Sequence, residues 1–147
     1  MKFVKYSFWD EHRLLIKACR GEVVQRELIN EFQEVFSNLD HTSPVDVLID
    51  VTKLRLKASV ADSELYTTFF QNDKIYNLVD KIAVITSTPD QVVQTILFME
   101  GIQHLNTDIK IFSSVDSAVI WLNTNARTKD IKEILMNLTE IESPKNI

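Results

Sequence analysis

Asp50 and Thr52 stand at the end of an apolar run, VDVLIDV, in a chain otherwise poor in obvious chemistry. Thr86, Ser87 and Thr88 follow a second run, KIAVI, and Ser113 and Ser114 follow a third, IKIF. In open α/β sheets, ligands bind outside the carboxyl ends of the strands. A carboxylate among hydroxyls at that border can hydrogen-bond one ligand or one protein partner. With Ser59, these residues form a candidate interaction rim. A plainer reading stands beside it: Asp50 and Thr52 bond nearby loop amides, while Thr88 and Ser114 cap helices.

Other chemistries fit the residues less well. Asp50 after a strand, with Thr86 after the next, resembles a receiver phosphoacceptor. That chemistry needs Mg²⁺ and further carboxylates at an earlier strand end, where only Asp10 and Glu11 are on offer, in a turn. His12, His41 and His104 fall on separate elements without a ligand-type partner at helical spacing, so no metal site is expected. Cys19, the single cysteine, reads as a buried small hydrophobe, since no orienting base can be assigned to it. The chain has two glycines, which excludes the phosphate-cradling loops of nucleotide-binding enzymes. No cofactor is expected and no catalytic set can be placed.

The elements that must position these groups follow from patterning. The 147 residues, 45% hydrophobic and 25% charged, suit one soluble domain with a proper core. A net charge of −5 argues against nucleic acid or an anionic membrane as general partners. A lone cysteine, no signal-like start and no membrane-length apolar run point to the cytoplasm. Lys2–Trp9 and Arg13–Cys19 read as an antiparallel hairpin, closed by Gly21. Val24, Leu28, Ile29, Phe32, Val35, Phe36 and Leu39 recur on one helical face, with Gln25, Arg26, Asn30, Glu31, Gln33 and Glu34 opposite.

VDVLIDV is apolar on nearly both faces, as central parallel strands are, and Asp50 is expected to mark where it stops. Lys53–Lys57 alternates basic and apolar residues, as a solvated edge strand or a small anion-docking patch would. Ser59–Phe70 reads as a helix, whose Tyr66, Phe69 and Phe70 are either core or the lining of an apolar pocket. Lys81–Thr86 is a strand; Thr88, Pro89 and Gln91 then start a helix with a capping box. Ile109–Phe112 is the last strand, followed by a helix capped by Ser113 or Ser114. A tail helix spans Thr128–Leu138. The order β-β-α-β-α-β-α-β-α-α requires a mixed sheet of about five strands: an N-terminal hairpin, then parallel β-α-β units with helices packed on the sheet.

Four stretches, RLLIKACRGEVVQRELINEF, VDVLIDVTKL, KIAVITSTPDQVV and KIFSSVDSAVIWL, resemble the STAS superfamily, in particular its SpoIIAA-like (STAS/SEC14) branch. The resemblance implies a STAS-like domain over residues 1–125 and a C-terminal amphipathic helix and tail over 126–147. It implies a non-enzymatic interaction or regulatory module, related to anti-sigma-factor antagonists, with an unidentified protein partner or a second copy of itself. The phosphoacceptor string D-S-x-G is absent; Ser59 and Ser63 lie near its place without the glycine. The SEC14-related members imply the alternative, a lipid or small apolar ligand. An internal cavity of a few hundred Å³ would favour that binder, and a filled core with an exposed apolar patch the contact module.

Overall fold

The structure, a computed structural model, describes residues 2–39, 43–57, 68 and 78–140. The strands are β1 (Phe3–Trp9), β2 (Leu14–Val24), β3 (Val45–Lys57), β4 (Val79–Ile85) and β5 (Asp108–Phe112). The helices described are α1 (Gln25–Asn38), α2 (Pro89–Gly101), α3 (Val115–Leu122) and α4 (Thr128–Thr139). The strands lie in chain order, β1-β2-β3-β4-β5, in one sheet. β1 and β2 are antiparallel, joined through a short 3-10 turn at Asp10–His12. Every other neighbouring pair is parallel.

A sheet that grows in one direction through right-handed crossovers places successive crossover helices on the same face. α1 and α2 share that face. Alternating strand residues sort accordingly: Leu15, Cys19, Val47, Ile49, Ile82 and Val84 meet Phe32, Phe36 and Phe98 from α1 and α2. Leu14, Ile16, Ala18, Leu48, Ala83 and Ile85 meet Ala118, Leu122, Ile131 and Leu135 from α3 and α4. The period of two along each strand therefore builds two cores, one on each side of the sheet.

The sequence expectations need correcting in several places. β2 does not close at Gly21; it runs on to Val24, with Gly21 taking φ 85° inside the strand. Val24 accordingly ends a strand, 44% exposed, and is not part of the buried face of α1. β3 does not stop at Asp50 but continues to Lys57, and Lys53–Lys57 pairs with Arg20–Val24 of β2. The basic stretch is thus the far half of β3, paired with β2 on one side and past the end of the β4 pairing on the other. Its pairing partner was hidden because glycine and a charged residue interrupt the β2 pattern. α1 also buries a wider arc than its apolar stripe: Gln25 is 4% exposed and the Glu31 side chain 13%. The helix expected over Ser59–Phe70, including Ser59, Tyr66, Phe69 and Phe70, lies outside the described residues, apart from Thr68.

Candidate functional site

β3 and β2 slip register beside Asp50. Ala18 faces Asp50, but Arg20 faces Lys53, so β3 carries one extra residue over that interval. Such a bulge bends a strand and frees a backbone group from the ladder. The Asp50 carboxylate receives what the bulge turns aside: its Oδ1 accepts from the Thr52 amide at 2.9 Å and from the Thr52 hydroxyl at 2.7 Å. Asp50 therefore shapes the middle of a strand and does not end one.

Beyond Asp50, β3 has no second strand neighbour among the described residues. β4 pairs with β3 only as far as Ile85 opposite Asp50, so the carbonyls of Thr52 and Leu54 on that side need donors from elsewhere. Gln91 supplies them, its Nε2 lying 3.1 Å from each carbonyl oxygen. The Ser87 hydroxyl adds a 2.9 Å bond to Thr52 O. At its other end, the Gln91 Oε1 accepts from the amides of Ser87 and Thr88, while Thr88 Oγ1 caps the Gln91 amide at 3.2 Å. One carboxamide both starts α2 and ties that start to the free side of β3.

Beside this junction lies open space. A cavity of about 440 Å³ opens between α1, α2 and the far half of β3. Its floor is the sheet, through Lys17, Cys19, Ile49 and Val84; Leu28 and Phe32 of α1 form one wall, Gln91, Thr95 and Phe98 of α2 another. Thr52, Leu54 and Leu56 line the β3 side, with Lys53, Arg55 and Asp90 also on its lining. Phe32 and Phe98 stack across it at 6.2 Å between centroids, 20° from parallel.

Lys17 is the unexpected group. It occupies the core-facing position between Leu15 and Cys19 on β2, and its side chain is 1% exposed. Its ammonium forms an ion pair with Glu31 of α1 and sits 3.6 Å from the Phe32 ring centroid. Both Glu31 carboxylate oxygens are buried, and neither accepts an aligned hydrogen bond among the described residues. A charge pair inside a core costs more in desolvation than it returns unless its geometry is very good. Cys19 beside it has its thiol pushed up from 9.0 to about 11, chiefly by burial. A thiol so weakly ionised is a poor nucleophile at neutral pH.

Of the rim residues, Thr52, Ser87 and Thr88 gather around Gln91 while Asp50 bonds Thr52, and Thr52 and Thr88 line the cavity. Thr86 is buried, its amide bonded to Phe112 O at 2.9 Å. Ser114 caps α3 through the Ser117 amide at 3.2 Å, a bond set on the opposite face, and Ser113 is exposed. His12 packs edge-on against Trp9 at 4.4 Å. Among the described residues, no group of three or more His, Cys, Asp and Glu side chains is placed to hold a metal. No helix of the described residues is long and apolar enough to cross a membrane. Sequence reading missed Lys17 and Glu31. The available signal was a lysine at the inward phase of the run LLIKAC, with Glu31 one turn from Leu28 and from the buried Val35.

A structure search places this architecture. An uncharacterized protein of the DUF3478 family from Shewanella loihica PV-4, described as having a SpoIIAA-like fold, superposes with a TM-score of 0.53 at 17% identity. The match covers 82% of this chain and 93% of that one. The fold is SpoIIAA-like. The mixed five-stranded sheet with its antiparallel start is the feature the sequence resemblance implied. No protein-family model and no curated protein matches the sequence.

Proposed function

We propose that this SpoIIAA-like domain is a non-enzymatic binding module for a small, mainly apolar molecule. The observation that carries the reading is the cavity of about 440 Å³ beside the β3 bulge, within the size range of small-molecule sites. Leu28, Phe32, Ile49, Val51, Val84 and Phe98 give it apolar walls, with a few polar groups converging on it. The rim residues Thr52, Ser87 and Thr88 act by fixing the start of α2 against β3 at one end of the cavity, and Asp50 by holding Thr52. The contact-module reading calls for an exposed apolar patch, which the tail helix is expected to offer whether folded back or lent to a second copy. Ile131 and Leu135 of α4 are buried in the core, which leaves that reading Ile120 and Met136 as exposed apolar groups on α3 and α4.

The test is an amide chemical-shift titration with benzophenone as probe, on wild type and on Leu28→Trp, which fills one wall. Shifts clustered at Leu28, Phe32, Val51, Thr95 and Phe98, and lost in the filled variant, support the reading. Shifts scattered over the surface, or equal in both proteins, overturn it.

A further inference from the structure

We infer that the cavity selects an uncharged ligand that carries a hydrogen-bond acceptor at its buried end, with Lys17 as the donor. The inference rests on the binding reading above and adds the chemical class. An ammonium has three N–H donors. Lys17 directs its charge to Glu31 and to the Phe32 face, and no further partner for it is found among the described residues. Lys17 is itself on the cavity floor, and Phe32, against which the ammonium lies, forms the wall beside it. A carbonyl, ether or hydroxyl oxygen entering from the apolar side would take a remaining donor.

Charge excludes the more obvious choice. An anion would seem the natural guest for a buried lysine, but Glu31 already neutralises that lysine. A carboxylate seated there would add a second negative charge beside Glu31, away from water, with no cation in surplus. Buried charge without a partner is strongly disfavoured. Lys53 and Arg55 also line the cavity, but both are exposed, where water screens their attraction. A ligand cation fails for the converse reason, since Lys17 stands at the floor. A wholly apolar guest would leave the remaining lysine donors unpaired, and polar groups left unpaired in this way are what give such sites their selectivity.

Three probes share one body and differ at one carbon: benzophenone carries a ketone, diphenylmethane a methylene, and diphenylacetate a carboxylate. Calorimetric or shift titrations on the full chain should rank benzophenone tightest, by about tenfold over diphenylmethane, with diphenylacetate weakest. In Lys17→Met/Glu31→Leu, which removes both charges together so that neither is left unpaired, the ratio of benzophenone to diphenylmethane affinity should fall toward one. A ratio near one in wild type, diphenylacetate binding as tightly as the ketone, or a ratio that survives the double substitution overturns the inference and leaves the cavity reading standing. Failure of all three probes to bind overturns that reading, and the inference with it.

Discussion

Lys17 and Glu31 face each other across the packing between β2 and α1, an ion pair formed where the strand pattern calls for an apolar side chain and the helix pattern for a solvated one. The two partners are not equivalent to remove. Lys17→Met leaves the Glu31 carboxylate buried without a counter-ion and should cost about 3–5 kcal/mol. Lys17→Met/Glu31→Leu exchanges the pair for packed hydrocarbon and should be as stable as wild type or more so. Urea unfolding of both variants measures this directly. A single substitution that costs no more than the double would mean that the two charges are not coupled.

The order of elements and the burial of VDVLIDV on nearly both faces were legible because period-two and period-3.6 patterns carry them. KIAVI, IKIF and the Thr88-Pro89-Gln91 start of α2 fall where those rules put them. What the patterns missed is long-range compensation. Nothing local in Asp50 says that it serves a bulge, because the slip exists only against β2. Nothing local in Lys53–Lys57 says that it is paired, because its partner strand passes through Gly21. Lys17 looked like an interruption and Glu31 like part of a solvated face. Each makes sense only once the other is placed.

The Gln91 carboxamide should matter more to stability than a half-exposed helix-start residue ordinarily would. Gln91→Ala removes both donors to Thr52 O and Leu54 O and the acceptor for the Ser87 and Thr88 amides. A loss of about 1–3 kcal/mol is expected. Gln91→Glu keeps the acceptor but turns an oxygen toward two carbonyls, so it should not rescue. Hydrogen exchange should quicken at Leu54 and Leu56 in either variant while the β4 and β5 amides stay protected. Uniform quickening over the whole sheet would contradict the local role.

Asp50 separates shape from charge. Asp50→Asn retains an oxygen that can accept from the Thr52 amide and hydroxyl and should unfold within about 0.5 kcal/mol of wild type. Asp50→Ala loses both acceptor bonds and should cost about 1–2 kcal/mol. If Asp50→Asn is as destabilising as Asp50→Ala in thermal unfolding, the negative charge is required and the bulge account is insufficient.

Cys19 gives the stability curve a feature at alkaline pH. Burial raises the folded-state thiol from 9.0 to about 11, so the folded protein holds its proton where the unfolded chain has released it. The stabilisation linked to that proton is complete below about pH 9 and is lost as pH climbs through 11. Wild type should therefore lose stability over that window faster than Cys19→Ala, measured as the difference between their unfolding midpoints at pH 8 and pH 10.5. Parallel curves would show that the thiol is not held neutral by the fold. The same burial predicts that iodoacetamide labels native Cys19 at pH 8 far more slowly than the thiol in urea.

Truncation after Asn125 tests whether α4 is an appendage or part of the domain. Ala126, Ile131 and Leu135 are 6%, 0% and 5% exposed, and they close the core that Leu14, Ile16 and Ala18 present on the far face of the sheet. Deleting the helix returns those strand residues to water, at about 1.5–3 kcal/mol for each large side chain uncovered. The sum is comparable with the whole stability of a domain this size. The shortened chain should therefore lose its cooperative thermal transition and bind a hydrophobic dye. A truncated protein that keeps a sharp transition and the wild-type benzophenone titration would show residues 1–125 to be a self-sufficient unit, with the tail free to serve a second copy or another protein.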